Sequence, residues 1–355
     1  MINLNDPKIY KQIDPSSMLS QLYGLPGQCQ TAWQEALGFS LPEDYASVDK
    51  VLILGMGGSA IGGDLVRTLA LATGSKPVIL VNRDYDLPAY INDRTLVIAS
   101  SYSGNTEEIL SAFNQALNTE CKKLAITTGG KLKEIAEAAS IPVFPINHVS
   151  SPRAALGYSF MPLIAFLVNL GLIKGNSINT NDMINNLNQL TGNLGETVPT
   201  DSNSAKQLAL KLYDKVAVIY GAGILSEVAR RWKTQINENS KAWAFHEIFP
   251  ELNHNTVVGY QFPRQAGTNL YVVLLRCPSL HHRTLIRLQV TGELLEQNNI
   301  EYHIVDSQGE DSLSQMMSVL FFGDWVSYYL AILNQADPTP VKTIDYLKKR
   351  LDEVK

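Results

Sequence analysis

Five short runs of β-branched and aliphatic residues punctuate the first part of the chain: Val51 to Gly55, Val78 to Val81, Leu96 to Ala99, Lys123 to Thr127 and Val143 to Ile146. None shows the polar alternation of a strand with one wet face, so each reads as a strand covered on both sides. The runs are separated by segments of about 20 residues, long enough for the helical crossover that a parallel pair requires. A second series begins with Val216 to Tyr220, continues through Leu270 to Leu275 and Glu301 to Val305, and closes with helices near Ser312 to Leu333 and Val341 to Val354. A helical region around Ser17 to Ala36 precedes the first series. The pattern predicts an α/β fold with two doubly wound parallel sheets and flanking helices.

The chain has 355 residues, 45% of them hydrophobic, which supports two buried cores at roughly 150 residues per domain. Between 175 and 200 the composition shifts to Asn, Thr, Ser and Gly, with helical periodicity surviving only in Met183 to Leu190. That stretch is expected to connect a first domain, 1–174, with its N-terminal helical region, to a second, 201–355, ending in a helix. The start Val51-Leu-Ile-Leu-Gly55-Met-Gly57 is echoed by Val216-Ala-Val-Ile-Tyr-Gly221-Ala-Gly223, consistent with two similar halves. From Ala154 to Ile173 the chain carries no charge, but Pro162, Asn169 and Gly171 interrupt it, so a helix buried between domains is expected rather than a membrane span.

Charged residues make up 18%, below the roughly 25% of an average globular protein, so part of the surface is expected to be hidden in an oligomer. The net charge of -5, without long runs of either sign, argues against a nucleic-acid binder. Cys29, Cys121 and Cys277 are too scattered for a disulfide framework, and MINLNDPKIYKQ has no apolar core of a secretory signal. A reducing, cytoplasmic setting is expected.

The stretch Gly55-Met-Gly57-Gly58-Ser59-Ala60-Ile61-Gly62-Gly63-Asp64 follows the first strand and opens a helix, so its free amides face an anion. Alone it is ambiguous. Gly55, Gly57 and Ala60 satisfy a dinucleotide pattern, with Asp84 about 24 residues on as a ribose-binding acid, and a ligand-free tight turn is a further alternative. A second polar turn, Ser100-Ser101-Tyr102-Ser103-Gly104-Asn105-Thr106-Glu107-Glu108, follows the strand Leu96 to Ala99. A helix cap needs one hydroxyl, whereas Ser101, Ser103 and Thr106 supply three. Two such turns at the carboxyl ends of parallel strands point into one crevice.

The loop SYSGNTEE, with the upstream GMGGSAIGGD, resembles the sugar isomerase (SIS) domain, whose members bind phosphosugars. An aldose–ketose isomerase also needs a base, a cation beside the enediolate oxygens and a proton relay for ring opening. Glu238, in KTQINENSK, is the candidate base, set between Asn237 and Asn239. His254, in FPELNHN, carries an imidazole able to shuttle a proton near neutral pH. Arg153, in SPRAALGY, stands against the macrodipole at a helix start, a placement an anionic intermediate would explain.

Together, GMGGSAIGGD, SYSGNTEE, SPRAALGYSF, QINENSK and FPELNHN follow the order and spacing of the bifunctional phosphoglucose/phosphomannose isomerase family, which the chain resembles from about Leu52 to Leu351. The resemblance implies two SIS domains, a homodimer, and interconversion of glucose 6-phosphate or mannose 6-phosphate with fructose 6-phosphate through a cis-enediolate, without metal or other cofactor. It makes Gly58, Ser59, Ser101, Ser103 and Thr106 the phosphate site, Glu238 the base and Arg153 the stabiliser of the enediolate. It implies that His254, from the neighbouring subunit, assists ring opening, and that Lys348, in the terminal helix, is its partner. No nucleic acid or membrane partner is implied. Seven residues before Lys348, where some members carry a threonine thought to admit mannose phosphates, this chain has Val341, with Thr339 two residues away.

The alternatives differ in what they require. A non-catalytic phosphosugar-binding regulator needs both turns but not Glu238, Arg153 and His254. A metal-dependent isomerase needs clustered ligands, and His246, Glu247 and His254, the nearest set, fit no compact spacing.

Overall fold

The computed structural model describes residues 2–354. The first half begins with α1 (Pro7–Ile13) and α2 (Met18–Leu37), then alternates β1 (Lys50–Leu54), α3 (Gly57–Ala72), β2 (Val78–Asn82), β3 (Thr95–Ser100), α4 (Glu107–Leu117), β4 (Lys122–Thr127), α5 (Gly130–Ala138) and β5 (Val143–Pro145). These strands form one parallel sheet in the order β2-β1-β3-β4-β5. Val51 pairs with Ile79 on one side and Leu96 on the other, and β3 is buried along its whole length. The uninterrupted apolar strands are thus the central ones, covered by helices on both faces as their composition requires.

Next come α6 (Leu156–Asn169), α7 (Thr180–Leu194) and α8 (Ser204–Leu212). The second half contains β6 (Val216–Gly221), α9 (Ser226–Asn239), β7 (Ala244–Ile248), α10 (Ala266–Asn269), β8 (Leu270–Arg276), α11 (His282–Gln297), β9 (Tyr302–Asp306), α12 (Ser312–Leu333) and α13 (Lys342–Glu353). Its parallel sheet runs β7-β6-β8-β9. The α/β, doubly wound expectation holds for both halves.

Two local readings need correction, and a third holds in its main point. The strand β7 was not anticipated, because Ala244-Phe-His-Glu-Ile248 is too polar to read as a buried run, and it lies at a sheet edge where polarity is tolerated. Asn179 accepts a hydrogen bond from the Asp182 amide and starts α7 earlier than the surviving periodicity implied. The uncharged stretch gives α6, only 14 residues long and buried from Leu156 to Leu167 against α2 and α3. It is α12 that has the length and apolarity of a membrane span, and it is buried from Leu313 to Leu333 except for Phe322. A helix apolar all round belongs in a core, and α12 packs on α7, α8 and α9.

The contact between α3 and α6 positions the first polar turn. A β-carbon on Gly62 would stand 2.1 Å from the carbonyl oxygen of Ser159, so the two helix backbones meet only because residue 62 has none. The obstructing atom is backbone and cannot rotate away. Gly62→Ala is therefore expected to destabilise the protein by about 3 kcal/mol through overpacking. Urea denaturation checks this, and an unchanged midpoint would rule out the close approach.

Candidate active site

At the carboxyl end of β1, Met56 is extended and offers no side-chain cap to α3. The amides of Gly57 and Gly58 are thus left for a ligand or water, whereas those of Ser59 and Ala60 donate to the Met56 carbonyl. At the end of β3, the Ser101 hydroxyl lies 3.1 Å from that of Thr106 and accepts from the Gly104 amide at 3.1 Å. Thr106 precedes α4 without capping it, so its hydroxyl belongs to the turn. Ser59 Oγ accepts from the Tyr102 amide at 3.1 Å, which joins the two turns into one surface. Ser59 and Ser101 are buried, Thr106 is half-buried and Ser103 is exposed, with its Oγ accepting from the Asn105 amide at 3.3 Å. Hydroxyls and free amides at this density could hold a phosphate dianion without a lysine.

The third wall comes from the short 3-10 turn Pro152–Ala154 just before α6. A β-carbon on Gly58 would lie 2.8 Å from the Arg153 amide nitrogen and 2.9 Å from the Pro152 oxygen, so this turn sits directly on the phosphate loop. Tyr102 braces it further, donating to the His148 carbonyl and accepting from the Ser150 amide.

Arg153 is only 4% exposed. Its Nε donates to Asn239 Oδ1 at 2.8 Å, and its Nη2 donates to the Pro338 and Thr339 carbonyls at 2.6 and 2.8 Å. Of the five guanidinium donors, only those on Nη1 are left, and Nη1 faces Glu238 Oε2 at 3.5 Å. Burial lowers the Arg153 guanidinium from its ordinary value, while the neighbouring Glu238 works in the opposite direction. It stays a cation at neutral pH, since arginine does not lose its proton in proteins.

Glu238 lies near the end of α9, with 27% of its side chain exposed. The structure thus brings Ser59, Ser101, Thr106, Gly58, Arg153 and Glu238 into one continuous region spanning both halves. His254 is exposed in the 3-10 turn Glu251–His254, and Lys348 is exposed on α13. Among the described residues, no hydrogen bond or ion pair between side chains joins either of them to Glu238 or Arg153. His246 and Glu247 are consecutive on β7 and so project to opposite faces of the sheet, which separates the nearest metal-type pair. Asp84, the acid of the dinucleotide reading, is exposed and accepts from the Tyr85 amide at 2.8 Å.

Two residues of the site escaped sequence reasoning although they lie in the quoted string KTQINENSK. Asn239, 1% exposed, holds Arg153, and Lys241 donates to the carbonyls of Glu238 and Pro338. The available signal was the polarity of the string at the end of a helix, read there only as the setting of the carboxylate. A cavity of about 530 Å³ lies elsewhere, beside β9, lined by His303, Asp306, Ser202 and Phe322 among others, and holds none of these groups.

The family model of the bacterial phospho-glucose isomerase C-terminal SIS domain matches residues 201–351. The glucose-6-phosphate isomerase like protein from Thermus thermophilus superposes with a TM-score of 0.62 at 18% identity, over 98% of this chain and 99% of that one, which speaks for the fold. The bifunctional phosphoglucose/phosphomannose isomerase of Aquifex aeolicus is 32% identical over 91% of this chain and 95% of its own length. That of Caldicellulosiruptor bescii is 46% identical over 95% of this chain and 100% of its own length. With this degree of identity carried across a relative's full length, the chain belongs to the bifunctional phosphoglucose/phosphomannose isomerase family.

Proposed function

We propose that this chain interconverts glucose 6-phosphate and mannose 6-phosphate with fructose 6-phosphate by proton transfer through a cis-enediolate. The observation that carries the reading is the approach of Glu238 to the one unclaimed nitrogen of buried Arg153, beside the phosphate turns. A regulator that only bound phosphosugar would have no use for a carboxylate and a guanidinium in that arrangement.

The substrate phosphate is held by the hydroxyls of Ser59, Ser101, Ser103 and Thr106 and by the open amide of Gly58. Glu238 takes the proton from C2 of the open-chain aldose, and the electron pair moves into the C1–C2 bond. Negative charge develops on the enediolate oxygens, where Arg153 Nη1 is placed to meet it without reorganising. The O2 hydroxyl proton passes to O1, Glu238 returns its proton to C1, and C2–O2 becomes the carbonyl, giving the ketose. Base and charge stabiliser are both side chains, so the scheme calls for no metal or cofactor. Val341 is the residue just before α13, and Thr339, two residues earlier, is tied to Arg153 through its carbonyl, so a change at Thr339 acts directly beside the guanidinium.

Ring opening is assigned to His254 with Lys348, in a homodimer that brings His254 to the site of the neighbouring subunit. Support comes from surface a single chain leaves uncovered. No residue of α13 is buried, and Ile344, Leu347 and Leu351 form an exposed apolar stripe along it. Trp243, Phe245, Val258 and Phe262 are exposed on either side of the His254 turn in sequence. The same reading divides the chain into two SIS units, 1–174 and 201–355, joined by 175–200. A cytoplasmic setting fits three cysteines that are free and buried.

Purified, metal-chelated protein incubated separately with glucose 6-phosphate and mannose 6-phosphate should form fructose 6-phosphate from both. Product from neither would defeat the isomerase reading. Glu238→Gln should lower kcat by about 1000-fold while phosphosugar affinity changes less than about threefold, because the phosphate sits on other residues. Retained turnover would remove Glu238 from the reaction. Mixing Glu238→Gln with His254→Ala subunits should restore about a quarter of wild-type activity, since half the dimers would then hold one intact composite site. No recovery despite verified subunit exchange would place His254 in its own subunit's site.

A further inference from the structure

We infer that Asn239, Ser327 and the Arg231–Asp324 pair act as positioning residues for Arg153, forming a closed buried ring that fixes its guanidinium against Glu238. The inference rests on the reading of Arg153 as the group that meets the enediolate.

The ring can be followed atom by atom. Arg153 Nε donates to Asn239 Oδ1 at 2.8 Å, and Asn239 Nδ2 donates to Ser327 Oγ at 3.0 Å. Ser327 Oγ donates to the Asp324 carbonyl at 2.7 Å. The Asp324 carboxylate accepts from Arg231 Nε and Nη2 at 3.1 and 2.8 Å, and Arg231 Nη2 donates to the Arg153 carbonyl at 2.8 Å. Arg153 is therefore held at both its main chain and its side chain. Asn239, Ser327, Asp324 and Arg231 are all at most 3% exposed, so water does not compete for these bonds.

Each member has an orientation set by the next. The Ser327 proton is committed to Asp324, leaving its lone pair for the Asn239 amide, and this turns Oδ1 rather than the amino group toward Arg153. Asn239 directly follows Glu238 on α9, so the residue that clamps the guanidinium is fused to the base. The distance between base and charge stabiliser is thereby set by one helix end. A long, four-torsion side chain that must present a single nitrogen to a developing charge benefits from such support, since displacement of an angstrom is costly to catalysis.

The test is a double-mutant cycle on the full-length protein, read as kcat and as calorimetric affinity for fructose 6-phosphate. Asn239→Leu removes the acceptor for Arg153 and should lower kcat about 50-fold with affinity within about threefold. Asn239→Asp keeps the acceptor and should recover most of that loss. In an Arg153→Lys background, whose amine cannot reproduce the fork, Asn239→Leu should change kcat less than about twofold. A full, multiplicative loss in that background would overturn the inference, because it would show an effect that does not pass through Arg153. If Asn239→Leu does not fold, Ser327→Ala runs the same cycle with an expected loss of about fivefold, again abolished in Arg153→Lys. The two ideas fail separately: wild-type kcat in Arg153→Lys alone would sink the role of Arg153 itself.

Discussion

The Pro152 oxygen and the Arg153 amide lie 2.8–2.9 Å from where a β-carbon on Gly58 would be, and this contact joins the two halves of the chemistry. The two polar turns proposed to hold phosphate belong to the first sheet, whereas Glu238 ends a helix of the second half. Arg153 is the bridge, resting on the phosphate loop through its backbone and reaching Asn239, Pro338 and Thr339 through its side chain. Any side chain at residue 58 must push the turn or the loop away. The glycine is thus required by a close backbone approach, independently of any need to make room for a ligand.

The two halves are also tied by charge. Glu227 on α9 is 2% exposed and accepts from Arg67 on α3 at 2.6 Å and from Arg230 at 2.7 Å. On α3, Asp64 pairs with Arg83, yet burial outweighs that arginine and raises the Asp64 carboxyl above its ordinary value. Partly exposed arginines around buried carboxylates give little net stability, because desolvation offsets most of the attraction. Their effect is on alignment, since displacing α3 from α9 would take Arg67 away from buried Glu227 and leave it only Arg230 on its own helix. The Arg231–Asp324 pair follows the same logic more deeply, and its second task is to hold the main chain of Arg153.

What could be read from sequence follows from how local each signal is. The strands β1, β3, β4, β6 and β8 announce themselves because buried parallel strands need uninterrupted apolar runs, and the two polar turns follow them directly. Glu238 and Arg153 were visible as charged residues in places where a solvated surface would not put them. The strand β7 was hidden by Phe245, His246 and Glu247, since an edge strand need not be apolar. The ring around Arg153 was out of reach, because Asn239 and Ser327 are 88 residues apart and only the packing of α9 on α12 brings them together. From Val319 to Leu333, Asp324 and Ser327 are the only small polar or charged residues in a run of apolar and aromatic ones, and such residues are the trace that a buried network leaves in sequence.

The arrangement also explains why the chemistry is divided between the halves. Phosphate recognition needs many neutral donors at helix starts, which a parallel sheet supplies at the ends of adjacent strands. Proton transfer at C2 needs a carboxylate and a cation held apart from that phosphate, since a glutamate among the same amides would compete with the dianion for donors. On the proposed mechanism, Glu238 at the far end of α9 separates the two demands, and Arg153 buried between them would keep one positive charge where the enediolate forms. A single chain completes this much with its own contacts. Ring opening is a different proton transfer, at the ring oxygen and the anomeric hydroxyl rather than at C2, and its assigned groups, His254 and Lys348, stand on the surface beside uncovered apolar residues. On the composite-site reading, association both covers that apolar surface and supplies the missing proton relay, so assembly and catalysis depend on the same contact.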